Sequence, residues 1–133
     1  MTDRELLELA ARAVGWRITG FAPAYMCPRG TDLALIVVND QGGESVWNPL
    51  ADDGDALRLA VKLGIKVMPY PVFGYEKHSV IASRRWWAPP DDDDNTYIGP
   101  EVVEVYGTDP LAATRRAIVR AAAEIGKTLD GGA

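Results

Sequence analysis

The run Leu33-Ala34-Leu35-Ile36-Val37-Val38-Asn39 is apolar at successive positions, and it constrains the fold more than any other stretch of the chain. A strand with one wet face alternates apolar and polar residues, whereas a strand that does not alternate must be covered on both faces. The run is therefore predicted to be a central strand between helical layers. It is too short for a membrane span, which takes about 20 apolar residues.

The flanking sequence supplies those layers. Thr2-Asp3-Arg4-Glu5 reads as a capping box, and Leu6, Leu9, Ala10 and Ala13 follow at helical spacing until Gly15. Trp16 to Phe21 reads as a strand. Asp40-Gln41-Gly42-Gly43 is a turn that returns Glu44 to Trp47 as a hairpin partner. Asp52 or Asp53 caps a second helix, Gly54 to Leu63, with Gly64 at its C-cap. Ile65 to Met68 is predicted to be a short strand stopped by Pro69 and Pro71. A longer strand follows from His78 to Trp87, then a polar tip from Ala88 to Asn95, then a last strand from Glu101 to Tyr106. Thr108-Asp109-Pro110 starts a final helix, a cap followed by proline at the first position. Leu111, Ile118, Ala122 and Ile125 form its apolar stripe, and Gly126 is expected to close it.

These elements describe an α+β chain: a layered α/β/α sandwich with a mostly antiparallel sheet of five or six strands and three helices. The 133 residues form one domain, with 1–126 as folded core and 127–133 as a frayed tail. The formal net charge of −5 provides no global attraction for nucleic acid or an anionic membrane. One cysteine, Cys27, excludes an internal disulfide, and one histidine, His78, excludes an all-histidine metal site within the chain.

The stretch from Trp47 to Gly64 (WNPLADDGDALRLAVKLG) and the later run from Ala113 to Ala123 (ATRRAIVRAAA) resemble the phage ABA-sandwich domain family, small proteins of bacteriophages and prophages. The resemblance implies a sheet between helical layers, a phage or prophage origin and a cytoplasmic location in a bacterial host cell. It carries no catalytic residues across.

Three clusters are candidates for chemistry. Asp52, Asp53 and Asp55 crowd the start of the second helix, where carboxylates either hold a divalent cation or stabilise the helix as cap and first-turn residues. The spacing lacks the alternating ligands of a calcium loop, which favours the cap. Arg84, Arg85, Trp86 and Trp87 set guanidinium groups beside indoles, a pairing able to grip a phosphate and stack a base. Arg115, Arg116, Arg120 and Lys127 form a basic row on the last helix, and Arg58 and Lys62 a pair on the second; such residues opposite an apolar stripe ordinarily form a solvated face. Asp91 to Asp94 reads as a solvated loop tip. The only nucleophile dyad available is Cys27 with His78, and no phosphate-binding glycine loop or serine elbow is present.

The reading is a phage-type accessory protein that acts by binding rather than catalysis. Its first form takes a small anionic ligand such as a nucleotide, on Arg84 to Trp87, with no cofactor and with a homo-oligomer as one arrangement. The alternative is a protein-interaction module that meets a host factor through Pro69 to Asn95. A metal-dependent hydrolase on Asp52, Asp53 and Asp55 comes third.

Overall fold

A computed structural model describes residues 1–70, 78–84 and 100–131. It is an α+β structure with three helices and two antiparallel three-stranded sheets. Helix α1, Asp3–Ala13, starts at the expected capping box: Thr2 Oγ1 accepts from the Glu5 N–H and Glu5 Oε2 from the Thr2 N–H, both at 3.2 Å. Leu6, Leu7, Ala10 and Ala11 form its buried face.

Strands β1, Arg17–Phe21, β2, Leu35–Val38, and β3, Glu44–Trp47, make the first sheet in that spatial order. The non-alternating run is its middle strand. Leu35 and Val37 are fully buried and Ile36 and Val38 partly so, as a strand covered on both faces requires. Trp47 lies opposite Leu35 in the ladder and is buried with it.

Helix α2, Asp53–Leu63, follows with Asp52 as N-cap. It ends at Gly64, whose φ of 67° is a left-handed C-cap that side chains with a Cβ resist. Strands β4, Lys66–Tyr70, β5, Ser79–Ser83, and β6, Glu101–Val105, form the second sheet in that order. Pro69 does not stop β4, contrary to the sequence expectation. It pairs with Val80, whose backbone groups bond toward β6, so the missing N–H of Pro69 faces away from β5 and no bond of the β4–β5 ladder is lost.

Helix α3, Pro110–Gly131, is capped by Asp109, whose carboxylate accepts the Ala112 N–H at 3.1 Å. It packs on α1, α2, β5 and β6. Gly126 does not close this helix, and the chain expected to fray beyond it is helical to Gly131. The glycine serves another purpose: a Cβ there would stand 2.1 Å from the Leu9 carbonyl oxygen, so it is where α3 crosses the α1 backbone. The six strands pair as two sheets of three, where one sheet of five or six was expected. The end of the strand predicted from His78 to Trp87, and the tip from Ala88 to Asn95 with its four aspartates, lie outside the described residues.

Candidate anion-binding cleft

The turn from Trp47 to Asp55 is densely hydrogen-bonded. Asn48, 2% exposed, donates from Nδ2 to the Leu33 carbonyl at 2.6 Å and accepts the Leu50 N–H on Oδ1 at 2.9 Å. Its own N–H donates to Asp55 Oδ2 at 3.0 Å, and its carbonyl receives the N–H groups of Ala51 and Asp52. One buried amide thus ties the end of β3 to the chain before β2 and to the start of α2.

The three aspartates are spent in the same network. Asp52 Oδ2 accepts the Asp55 N–H at 2.8 Å, Asp55 Oδ1 meets Arg58 Nη2 at 2.8 Å, and Asp53 Oδ1 meets Arg115 Nη1 at 2.7 Å. Arg58 also lies 3.9 Å from Asp52 Oδ2, so it faces two of the three carboxylates while Arg115 takes the third. Among the described residues no group of three His, Cys, Asp or Glu side chains is placed to hold a metal ion. Asp52 makes the cap bond, while Asp55 and Asp53 are held by the Asn48 N–H, Arg58 and Arg115.

The basic row of α3 is a set of clamps. Arg115 is mostly buried and reaches the Leu50 carbonyl through Nε at 2.9 Å as well as Asp53, joining α3 to the start of α2. Arg116 meets Asp3 at 3.1 Å at the start of α1, and Arg120 meets Glu104 of β6 at 2.5 Å. Lys127 pairs with Glu124 on the same helix at 3.2 Å.

Arg116, Arg120 and Lys127 nevertheless line one side of a cleft of about 410 Å³. Leu6 of α1 and Val102 of β6 give it an apolar floor, and Glu104 and Glu124 complete the rim with Met1. The sequence pointed to the three cations but not to Leu6, Val102, Glu104 or Glu124. Those come from other elements or read as ordinary strand and helix residues, and no spacing rule links β6 to α1.

A second cluster lies at the tip of the β2–β3 hairpin. Asp40 accepts from Lys62 on one oxygen and from the Trp16 indole N–H on the other at 3.0 Å. The bond from Lys62, then that from Trp16, holds the Asp40 carboxyl below its ordinary value of 3.8; desolvation acts in the opposite sense and the Lys62 charge adds to the lowering. Lys62 also stands 6.0 Å from the Trp16 ring centre, and Trp16 meets Trp47 edge-on at 5.7 Å. Of the basic pair on α2, Lys62 secures the hairpin tip through Asp40, whereas Arg58 pairs with Asp55 within its own helix.

Of the arginine-tryptophan cluster, Arg84 is described: it follows β5 and its N–H donates to the Pro100 carbonyl at 3.0 Å. Arg85, Trp86 and Trp87 lie outside the described residues. The Cys27 thiol faces the carbonyls of Ala22 and Pro23, and His78 is exposed where β5 begins. A scan of protein-family models and searches of curated proteins and of solved structures find no match to this chain.

Proposed function

We propose that this protein acts by binding a small, multiply charged anion in the cleft between α1, β6 and α3. The observation that carries the reading is the convergence of Arg116, Arg120 and Lys127 over an apolar floor of Leu6 and Val102. Each cation already holds a carboxylate, so a singly charged ligand gains little by exchange. A phosphoryl group is a different competitor: it offers several acceptor oxygens and up to two charges, and guanidinium groups bind it bidentately. A diphosphate has the charge to draw Arg116 from Asp3 and Arg120 from Glu104 together.

The resemblance to phage ABA-sandwich proteins belongs to the same proposal, as does an accessory role in a bacterial host. On that reading the two sheets form the middle layer of an α/β/α sandwich. Support comes from the order α-βββ-α-βββ-α and from the packing of α3 on β5 and β6. No helix among the described residues is long and apolar enough to cross a membrane.

The test is a thermal shift series with inorganic phosphate, pyrophosphate and ATP. A ligand at 100 times its Kd adds about 2.7 kcal/mol of stability, which raises Tm by several degrees at this chain length. Pyrophosphate and ATP should give that rise and phosphate less. The rise, measured against each protein without ligand, should vanish when Arg116→Gln and Arg120→Gln are combined. No rise with any of the three, or a rise that survives in the double variant, refutes the assignment.

A further inference from the structure

The open edge of β6 carries an inference that stands apart from the anion reading. In the second sheet β6 is an outer strand, and no other strand of the described residues pairs with its far side. The ladder fixes which groups it leaves open. The Tyr106 N–H donates to the His78 carbonyl and the Arg84 N–H to that of Pro100, both at 3.0 Å. By the alternation of an antiparallel ladder, Val102 and Glu104 bond β5, while Glu101, Val103 and Val105 direct N–H and C=O away from it. The last three are also the residues whose side chains are exposed, Val103 at 53% and Val105 at 56%. Natural monomers protect an edge with charged side chains, prolines, bulges or a covering element. Here Glu101 and two valines are the exposed side chains on it, and among the described residues the side chain bonded to its outward groups is Arg120, 3.5 Å from the Val103 carbonyl.

We propose that β6 pairs with β6 of a second copy of this chain, antiparallel about a two-fold axis at Val103. The register is self-complementary. Val103 exchanges N–H···O bonds with the partner's Val103, and Glu101 does so with the partner's Val105, so every outward backbone group on these residues is matched. Side chains directly opposite are valine with valine, glutamate with valine, and, on the inner face, Val102 with the partner's Glu104. No like charges meet. Centring the axis on Glu101 sets two carboxylates opposite each other, and centring it on Val102 bonds Glu101 with the partner's Val103 but leaves the outward groups of Val105 without a partner within β6. An arbitrary peptide has no reason to satisfy this register; a second copy satisfies it by symmetry. The pairing also continues an apolar stripe across the outer face, from Met68 through Ile81 and Val103 to the same residues of the partner.

Two measurements test this. Sedimentation of the whole chain from about 1 μM to about 1 mM, the span of weak specific association, should show the mass rising from 14.4 kDa toward twice that value. Val103→Lys places two ammonium groups together at the axis and should hold the mass at 14.4 kDa, as should Val103→Pro, which removes only an outward N–H. Val61→Lys, at a 73% exposed position on α2, should leave association unchanged. The second measurement needs no variant. Amide exchange at Glu101, Val103 and Val105 should slow at least tenfold between the lowest and highest concentrations, with Val102 and Glu104 protected throughout. A constant 14.4 kDa mass overturns the proposal. So does association unaltered by both Val103 variants, or edge amides already protected at the lowest concentration.

Discussion

Replacing Gly126 with alanine tests the tightest point of the fold. The added Cβ would stand 2.1 Å from the Leu9 carbonyl oxygen, 2.9 Å from its carbon and 3.3 Å from its Cα. A carbon and a carbonyl oxygen come no closer than about 3.3 Å without penalty, so a gap of about 1 Å has to open. Every colliding atom is α1 backbone, which cannot rotate away as a side chain does. Helix α1 must retreat, loosening Leu6, Leu7, Ala10 and Ala11 in the core. Overpacking of this kind costs about 1–3 kcal/mol, and a backbone collision belongs in the upper half of that range. Alanine returns about 1 kcal/mol of helix propensity. The expected net loss is about 1–2 kcal/mol, a fall in Tm of roughly 3–8 °C for a chain of this size. Gly54→Ala in α2 is the internal control: its added Cβ meets the Arg58 guanidinium at 3.1 and 3.2 Å and Asp52 Oδ2 at 3.3 Å, side-chain ends able to move. That variant should be neutral or gain up to about 1 kcal/mol. Urea unfolding of both, followed by tryptophan fluorescence, makes the comparison. A Gly126→Ala protein as stable as the parent refutes the close crossing.

Asn48→Ala leaves the Leu33 carbonyl and the Leu50 N–H without their side-chain partners in a buried turn, and should lower stability by about 2–4 kcal/mol in urea unfolding; a loss within error of zero refutes the role assigned to that amide. Asp40 gives a pH signature. Its folded carboxyl titrates below the ordinary 3.8, so its stabilising effect is complete above that value and is lost as pH falls through the lower folded value. Asp40→Asn should therefore be less stable than the parent at neutral pH, and the difference in urea midpoint should close in acid. A gap that stays constant across that range removes Asp40 as its cause.

Where local chemistry decides an element, the sequence was readable. The capping box at Thr2, the cap at Asp52, the glycine after Leu63 and the Asp109-Pro110 helix start each rest on residues within a few positions of one another. Prolines and glycines misled where tertiary context decides their meaning. Pro69 sits in a strand because its missing N–H faces away from β5, and Gly126 sits within a helix because another helix crosses there. Neither fact is visible in a window of neighbouring residues. The division into two sheets has the same origin, since strand pairing joins residues far apart in sequence. The candidate cleft was half legible: the cations of α3 share a helical face, but Leu6, Val102 and Glu104 reach it through the packing of α1 and β6.

Arg120 lies where the cleft and the strand edge meet. Its Nη1 bonds Glu104 at 2.5 Å and also contacts the outward carbonyl of Val103 at 3.5 Å, the group that the partner's Val103 N–H would take. An anion that draws the guanidinium into the cleft removes it from that carbonyl and clears the edge. The two events share one side chain, so each should favour the other by the same factor. Pyrophosphate should then lower the concentration at which half the protein is dimeric, and the dimer should bind pyrophosphate more tightly than Val103→Lys does. The effect should disappear in Arg120→Gln, even though that variant keeps the β6 edge. Salt at matched ionic strength is the necessary comparison, because screening alone strengthens association of a chain with a net charge of −5. If pyrophosphate and matched salt shift the dimer equally, cleft and edge are independent and Arg120 serves only as the clamp between α3 and β6.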